Sequence, residues 1–254
     1  MIVTVGGMYR SGSTFSFNIV REILSDLGSV VTVSDNILAN ALSASEDSEH
    51  LIIKSHAPDE LITSLINKRA ILCICTYRKP EDSIASYVRV FGGTLESATT
   101  MVESWLEWHS KTHDRVLNIP YEQIENDPLG TIYQIQRYLT GAKDTAQAVI
   151  LKEKYQKETL KDQLDLLQKS DSTTDLGFTY YDNETYFHRK HISSIKSTTA
   201  LEEFSQSQIS KIRNRLSRFI DIEGNYFGQG KRIKNVFTNS RLIITLLVFY
   251  EKFR

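Results

Sequence analysis

Short apolar runs alternate with segments of helical periodicity through the first half of the chain. The runs predict five β-strands, at residues 2–5, 29–33, 51–54, 70–77 and 116–121. Apolar positions from Thr14 to Leu27 recur at the spacing of an amphipathic helix, which Gly28 ends, and a second helix is predicted from about Pro80 to Phe91. Strands that alternate with helices predict a mostly parallel sheet that binds ligands at the carboxyl ends of its strands.

The second half of the chain is predicted to be mainly helical after about residue 127. Residues 170–194 are polar and aromatic without periodicity, so we expect a long loop there, and such loops often act as lids or binding loops. Residues 43–50, SASEDSEH, are predicted to form a solvated acidic linker. The apolar run Leu242 to Phe249 is shorter than the ~20 residues of a membrane helix, so we expect it to pack on the body of the protein or on a partner.

Composition narrows the class of protein. The 254 residues carry 30 basic and 31 acidic side chains, and a nucleic-acid-binding protein would usually have a basic excess. Cys73 and Cys75 lie in one predicted strand, which favours reduced thiols over a disulfide framework. The start MIVTVGG lacks the basic region and long apolar stretch of a signal peptide. We therefore expect a cytoplasmic protein with neither nucleic acid nor membrane as a partner.

Residues 7 to 14, GMYRSGST, have the spacing of a phosphate loop between a strand and a helix. Backbone N–H groups at a helix N-terminus favour anions, so the loop is a candidate phosphate site, although glycine-serine turns before helices also occur without a ligand. Ser13 stands where ATP and GTP loops have lysine, and Arg10 lies three positions earlier. No apolar strand ends in an aspartate that could hold magnesium. We therefore predict a nucleotide without a γ-phosphate.

Three further stretches place polar side chains at the same predicted edge of the sheet. They are IIKSHAPDE, TYRKPEDSIASY and NIPYEQIENDP, each at or just after the end of a strand. The candidate side chains are Lys54, His56, Arg78, Ser86, Tyr121 and Glu122.

Together these stretches resemble the sulfotransferases that use 3′-phosphoadenosine 5′-phosphosulfate (PAPS), as in small soluble bacterial-type members. In that family a P-K/R-S/T-G-S/T-T loop binds the 5′-phosphosulfate, and YRSGST matches it from Arg10 to Thr14. An R-x-P-x-D-x-x-x-S element binds the 3′-phosphate, and RKPEDSIAS matches every position. A K-S/T-H-x-P element carries the catalytic histidine, and KSHAP matches it. YEQI before NDP also recurs, so the resemblance covers roughly residues 2 to 140 in the family's order.

The resemblance implies a P-loop-type three-layer α/β/α fold with a mostly parallel central sheet and a helical C-terminal part. It implies one domain over residues 1–254, with the PAPS-binding core at 1–140 and a helical region at 141–254 that has a lid around 170–200. The implied catalytic residues are His56 as base and Arg10 and Lys54 as charge stabilisers, without a metal. The implied residues for PAPS and its product are Arg10, Ser11, Gly12, Ser13, Thr14, Phe15, Arg78, Ser86, Tyr121, Arg189 and Lys190.

The chain departs from the family pattern at three places. Tyr9 replaces the usual proline, and Phe15 stands where cytosolic members have an adenine-stacking tryptophan. RKHISS, from Arg189 to Ser194, lacks the glycines and tryptophan of the family's R-K-G-x-x-G-x-W loop. The carry-over of Arg189 and Lys190 to the 3′-phosphate depends on this weaker match.

The predicted reaction moves a sulfuryl group to a hydroxyl or to an amine or guanidine nitrogen of a small molecule. Secondary metabolites, such as alkaloid toxins, are a suggested class of acceptor. Two alternatives stay open: a P-loop kinase or phosphotransferase, and a non-catalytic phosphonucleotide-binding protein of the same fold. Asp182 and Glu184 would suit a cationic acceptor, although a solvated surface explains them more simply, and the apolar C-terminal run would suit a homo-oligomer interface. The remaining candidates are His188 and His191 as reserve bases, Tyr180, Tyr181, Tyr186 and Phe187 as acceptor-pocket residues, and His109 and His113 as a pair on a helix surface.

Overall fold

The computed structural model describes residues 1–43, 48–175, 177, 180–192, 199–221 and 224–226. Its central sheet has five strands in the order β2-β3-β1-β4-β5, and all four pairings are parallel. The strands are β1 Ile2–Val5, β2 Val30–Ser34, β3 His50–Lys54, β4 Leu72–Tyr77 and β5 Leu117–Pro120. The five predicted strands are confirmed, with ends that shift by a residue or two.

Helices cover both faces of this sheet. In chain order they are α1 Ser13–Ser25, α2 Leu38–Ser43, α3 Glu60–Asn67, α4 Pro80–Phe91, α5 Leu95–Ser110, α6 Tyr121–Asn126, α7 Pro128–Thr140, α8 Thr145–Lys154, α9 Lys157–Asp165, α10 Ala200–Glu203 and α11 Gln206–Leu216. Alternate residues of each strand point to opposite faces. Leu51 and Ile53 of β3 pack with α2, α3, α4, α5 and α11, whereas Ile52 packs with α1, α7, α8 and α9. The three-layer α/β/α arrangement is therefore confirmed.

The stretch predicted as one long loop contains a short antiparallel hairpin, which corrects that prediction. Its strands are β6 Thr173–Asp175 and β7 Tyr180–Asp182. Strands of three residues are too short to show an alternating pattern, so periodicity could not reveal them.

Two other predicted segments are only partly described. The predicted linker 43–50 overlaps the end of α2 and the start of β3, and its residues 44–47 lie outside the described residues. The apolar run Leu242 to Phe249 also lies outside them. Within the described ranges, no helix combines the length and apolar content that a bilayer-spanning helix requires.

His109 was predicted on a helix surface, and that prediction is wrong. Its side chain is 0% exposed and stacks on Trp105, with ring centres 4.6 Å apart. Its Nε2 donates to Asn118 Oδ1 at 2.6 Å, and its Nδ1 accepts from the Tyr226 hydroxyl. Burial lowers the pKa of His109 to about 4. Both partners lie outside α5, so the helical pattern alone could not show that this face is covered.

Candidate active site

A cavity of about 1000 Å³ lies at the carboxyl ends of the parallel strands. Its walls come from the loop after β1, the end of β3, helices α4, α6, α8 and α9, and the segment from Tyr181 to Ile192. The residues that line it include Tyr9, Arg10, Gly12, Ser13, Thr14, Phe15, Lys54, His56, Tyr87, Phe91, Tyr121, Tyr181, Tyr186, Phe187, His188 and His191.

The loop from Gly7 to Thr14 is held by its own hydrogen bonds. Ser11 Oγ lies 2.6 Å from Met8 O and 2.7 Å from Thr76 Oγ1, so the hydroxyl closes the loop and faces inward. Gly12 has φ 85°, and a Cβ there would lie 2.7 Å from Ile124 Cδ1. Glycine is thus required at this position by both conformation and space.

Helix α1 begins directly after Gly12, and no side chain caps it. The first N–H groups of an α-helix have no partner inside the helix, and together with the helix dipole they favour an anion. Ser13 and Thr14 are the first two residues of the helix and line the cavity. This helix end is therefore suited to a phosphate.

Two basic side chains enter the cavity beside this helix end. Lys54 Nζ donates to Thr14 Oγ1 at 2.8 Å and lies 5.8 and 5.3 Å from the ring centres of Phe17 and Tyr186. Arg10 donates through Nε to Ser86 Oγ and through a terminal nitrogen to His191 O, both at 3.1 Å.

The positive charges of Arg10 and Lys54 have no carboxylate partner in the described part of the chain, since none forms an ion pair with either side chain. Burial lowers the pKa of Arg10 to about 10 and the pKa of Lys54 to about 7. A buried cation without a counter-ion is costly, and an anionic ligand would remove that cost.

His56 is presented as a neutral base. Its Nδ1 lies 2.6 Å from Gly7 O, and because a carbonyl only accepts, Nδ1 carries the proton and Nε2 is left as an acceptor. The imidazole stacks on Tyr9, with ring centres 4.0 Å apart. Burial and then Lys54 lower the pKa of His56 to about 4, against the opposing hydrogen bond to Gly7. The ring is thus uncharged near neutral pH.

The predicted 3′-phosphate residues Arg78 and Ser86 are buried next to Tyr121 and Arg10. Arg78 is 4% exposed, and its guanidinium carbon lies 4.5 Å from the centre of the Tyr121 ring. Ser86 is also buried and accepts the bond from Arg10. The structure thus brings Ser86 into contact with Arg10, and Arg78 into contact with Tyr121; Arg10 and Tyr121 line the cavity, whereas Arg78 and Ser86 are not among its lining residues.

The segment after β7 covers the loop. Tyr181, Tyr186 and Phe187 line the cavity as predicted, whereas Tyr180 is not among the lining residues. His188 and His191 line it as well.

Arg189 and Lys190 are exposed and are not among the lining residues, and Arg189 donates to Asp165 O at 2.9 Å. The assignment of these two residues to the 3′-phosphate stays a prediction.

Asp182 and Glu184 do not fit the predicted role of acceptor binding. Asp182 Oδ1 accepts from the backbone N–H and hydroxyl of Thr185, and Glu184 pairs with Arg21 at 2.7 Å. Neither carboxylate lines the cavity. Asp182 therefore stabilises the turn at Thr185, and Glu184 attaches this segment to α1 through Arg21.

Sequence reasoning missed two aromatic residues near His56. Tyr87 and Phe91 lie four residues apart on α4, with ring centres 4.9 Å apart, and the Tyr87 ring also contacts the Tyr9 ring. Their i, i+4 spacing directly after Ser86 was the signal that could have identified them. They give the cavity an apolar wall next to the base.

Several donors lie at the loop, which fits a ligand with anionic oxygens. They include the helix N–H groups, Arg10 and Lys54, all within one cavity. In the ranges that the structure describes, no cluster of three His, Cys, Asp or Glu side chains has the arrangement of a metal site.

Comparison with known proteins gives a family match. A family model described as "Sulfotransferase domain" matches residues 3–215. A search of curated protein sequences finds no match.

Solved structures of low sequence identity share the fold. Retinol dehydratase in a complex with retinol and PAP has a TM-score of 0.59 and 16% identity over 85% of this chain and 80% of that chain. Mouse sulfotransferase SULT7A1 complexed with PAP has a TM-score of 0.57 and 16% identity over 85% and 83%. Retinol dehydratase with androsterone and inactive cofactor PAP has a TM-score of 0.57, 16% identity and coverage of 85% and 80%.

Proposed function

The chain belongs to the sulfotransferase family, and we propose that it transfers a sulfuryl group from PAPS to a hydroxyl, amine or guanidine group of a small-molecule acceptor. One observation carries the proposal: half-buried Arg10 and buried Lys54 lie beside an uncapped helix N-terminus and pair with no carboxylate of the described residues, and His56 next to them leaves Nε2 as an acceptor. An anion would neutralise the two cations, and PAPS is the anion in sulfuryl transfer. A group that gives up a proton would engage His56 Nε2, and the hydroxyl, amine or guanidine of the acceptor is that group.

The donor would be held along one side of the cavity. The backbone from Ser11 to Thr14 and the Arg10 side chain would bind the 5′-phosphosulfate, and Phe15 would stack on adenine. Arg78 and Ser86 would bind the 3′-phosphate, the group that distinguishes PAPS from ATP. Tyr121, which contacts Arg78, supports that end of the site. Arg189 and Lys190 are proposed for the same phosphate by resemblance alone.

PAPS supplies an activated sulfuryl group whose bond to the 5′-phosphate breaks as the acceptor oxygen or nitrogen bonds to sulfur. His56 Nε2 takes the proton from the acceptor, and its Nδ1–H stays on Gly7 O, which fixes the tautomer. Arg10 and Lys54 stabilise the negative charge that grows on the leaving phosphate. These groups take up the proton of the acceptor and neutralise the charge on the leaving phosphate, and this scheme requires no metal.

The acceptor would lie against the aromatic residues near His56. Tyr9 stacks on the imidazole, and Tyr87 and Phe91 extend the same wall. Two of the similar solved structures contain retinol or androsterone, which are small, largely apolar molecules. We propose a small-molecule acceptor with an apolar body, and a secondary metabolite fits this description.

Thermal unfolding with adenosine 3′,5′-bisphosphate (PAP), ADP, and ATP with magnesium tests the donor. PAP at about a hundredfold over its Kd should stabilise the protein by roughly 2.7 kcal/mol, and Arg78→Ala should abolish this stabilisation. Stabilisation by ATP and magnesium alone would overturn the proposal in favour of a kinase.

Replacement of His56 separates an enzyme from a binding protein. In His56→Ala we expect turnover to fall by about 10²–10⁴-fold while the affinity for PAP is kept, because the base acts on the acceptor. His113→Ala, at an exposed histidine outside the cavity, is the matched control. A scaffold protein would show no PAPS-dependent turnover with any acceptor in either variant.

A further inference from the structure

Two histidines close over the phosphate loop from the opposite side of the cavity. His191 Nε2 lies 2.7 Å from Thr14 Oγ1, and the His191 carbonyl oxygen accepts from Arg10 at 3.1 Å. The ring of His188 lies 4.0 Å from that of His191, centre to centre. His191 therefore lies on loop residues that the proposed function assigns to the donor, and His188 lies beside it.

The hydrogen bonds determine which ring nitrogen of His191 carries the proton. The backbone N–H of His188 points at His191 Nδ1 at 3.3 Å, so Nδ1 accepts and Nε2 carries the proton. Nε2 then donates to Thr14 Oγ1, which also accepts from Lys54 Nζ. Two donors thus converge on one hydroxyl oxygen, and the hydroxyl proton of Thr14 adds a third donor at the same place.

His188 is a second polar side chain at this place. It is 7% exposed and lines the cavity, and its Nδ1 has no hydrogen-bond partner among the described residues. Buried polar atoms are normally paired, and a ligand in the cavity is one partner that would satisfy this ring.

The charged groups around the two histidines are basic. Arg10 and Lys54 face both rings, Lys190 faces His188, and His56 faces His191. Burial and these neighbours lower the pKa of His188 to about 3 and that of His191 well below its usual value. The rings are neutral, and what the cluster lacks is an acceptor.

We propose that His191, with His188 beside it, forms a second half of the donor site and binds the 5′-phosphate end of the donor opposite the phosphate loop. The inference rests on the proposed function. The 5′ end is assigned because Thr14, to which His191 Nε2 donates, is at the start of α1 in the loop proposed for the 5′-phosphosulfate. His191 donates to the phosphate through Nε2, and His188 supplies a neighbouring contact.

Two nucleotides separate the ends of the site: PAP, and adenosine 3′-phosphate, which lacks the 5′-phosphate. The Kd of adenosine 3′-phosphate divided by the Kd of PAP gives the contribution of the 5′-phosphate. Both Kd values are measured by calorimetry, with competition for the weaker ligand. In His191→Ala this ratio should fall by roughly 10- to 100-fold, the size of one hydrogen bond to a charged group, while the Kd of adenosine 3′-phosphate stays unchanged. His188→Ala should lower the ratio less.

Three further variants distinguish a ligand contact from a structural role. His191→Gln keeps a side-chain N–H donor and should restore part of the ratio. Arg78→Ala should weaken both nucleotides and leave the ratio unchanged, and His113→Ala should change neither. A structural defect would weaken both nucleotides equally and would not be rescued by glutamine.

Two outcomes would overturn the inference, and they differ in what else fails. If wild-type protein binds PAP and His191→Ala leaves the ratio unchanged, the histidines have no part in the donor site although the proposed function stands. If wild-type protein binds no PAP, the proposed function fails as well.

Discussion

Two groups of basic side chains lie in contrasting surroundings in this molecule. In the cavity, Arg10 and Lys54 are flanked by rings, hydroxyls and a helix N-terminus, and no carboxylate of the described residues pairs with either of them. At the seam where α11 packs against α4 and α5, the arginines are matched by glutamates. These pairs are Arg213 with Glu81, Arg215 with Glu96 and Glu103, and Arg218 with Glu103 and Glu107.

The difference separates a binding site from a structural contact. At the seam, Glu81 is 0% exposed and lies 2.7 Å from Arg213, so a buried charge has a partner within the fold. In the cavity no carboxylate of the described residues offsets the cost of burying Lys54, and burial lowers the pKa of Lys54 to about 7. A charge that the fold leaves without a partner is one that a ligand is expected to neutralise.

Removal of Lys54, one of the two cavity cations in the comparison, should give the largest effect, and that effect should be on catalysis. In Lys54→Met we expect kcat/KM for sulfuryl transfer to fall by about 10²–10³-fold, because a preorganised group that stabilises leaving-group charge is lost. The same change should leave the melting temperature of the ligand-free protein unchanged or raised, since it removes a buried charge without a counter-ion. Steady-state kinetics and thermal unfolding measure the two quantities.

Lys111→Met, at the exposed end of α5, controls for the loss of one positive charge and should change neither quantity. A clear loss of stability in Lys54→Met would contradict the comparison, because it would show that the fold itself depends on this cation.

The seam should respond in the opposite way. Arg213→Met leaves Glu81 buried without its ion-pair partner, and we expect a loss of about 3 kcal/mol in the free energy of unfolding. Urea denaturation measures this loss, and turnover of the folded variant should stay near the wild-type value. The double variant Arg213→Met with Glu81→Gln should recover most of the stability, since the buried charge is gone. Failure to recover it would assign the loss to packing of the arginine stem.

Much of the sheet and one side of the cavity could be predicted from sequence. The strand ends and the loop depend on local patterns, and Lys54 and His56 were placed correctly because parallel strands bring their carboxyl ends to one edge. His109 could not be placed, because its partners lie outside its own helix, Asn118 in β5 and Tyr226 at a distance of 117 residues along the chain.

The lid side was the least predictable part of the site. Its hairpin strands have three residues each, and the contact of His191 with Thr14 spans 177 positions of the chain. No pattern within the segment shows which histidine reaches the loop. Sequence analysis proposed both as reserve bases, whereas the structure places His191 against Thr14, a residue proposed to bind the donor.

The smallest predicted effect is a pH dependence that separates Lys54 from the seam arginines. With its pKa lowered to about 7 by burial, Lys54 loses its proton in the ligand-free protein above pH 7, and an anion binds better to the charged form. The Kd of PAP should therefore rise with pH above 7, by at most about tenfold per pH unit, as one linked proton requires. Phosphate groups with second pKa values of about 6 are already dianionic in this range, so they add no slope of their own.

Calorimetry between pH 6.5 and 9 measures this dependence, and two variants test its origin. Lys54→Met should bind PAP weakly with a flat profile, because no proton is linked. Lys54→Arg should be flat as well but tighter than Lys54→Met, since a guanidinium keeps its charge throughout. Arg10, whose pKa is lowered only to about 10, keeps its proton over most of the range and should not contribute a slope. A flat profile in the wild-type protein would mean that Lys54 stays charged in the cavity, and its burial would then have to be offset by a partner within the fold, as it is for Glu81 at the seam.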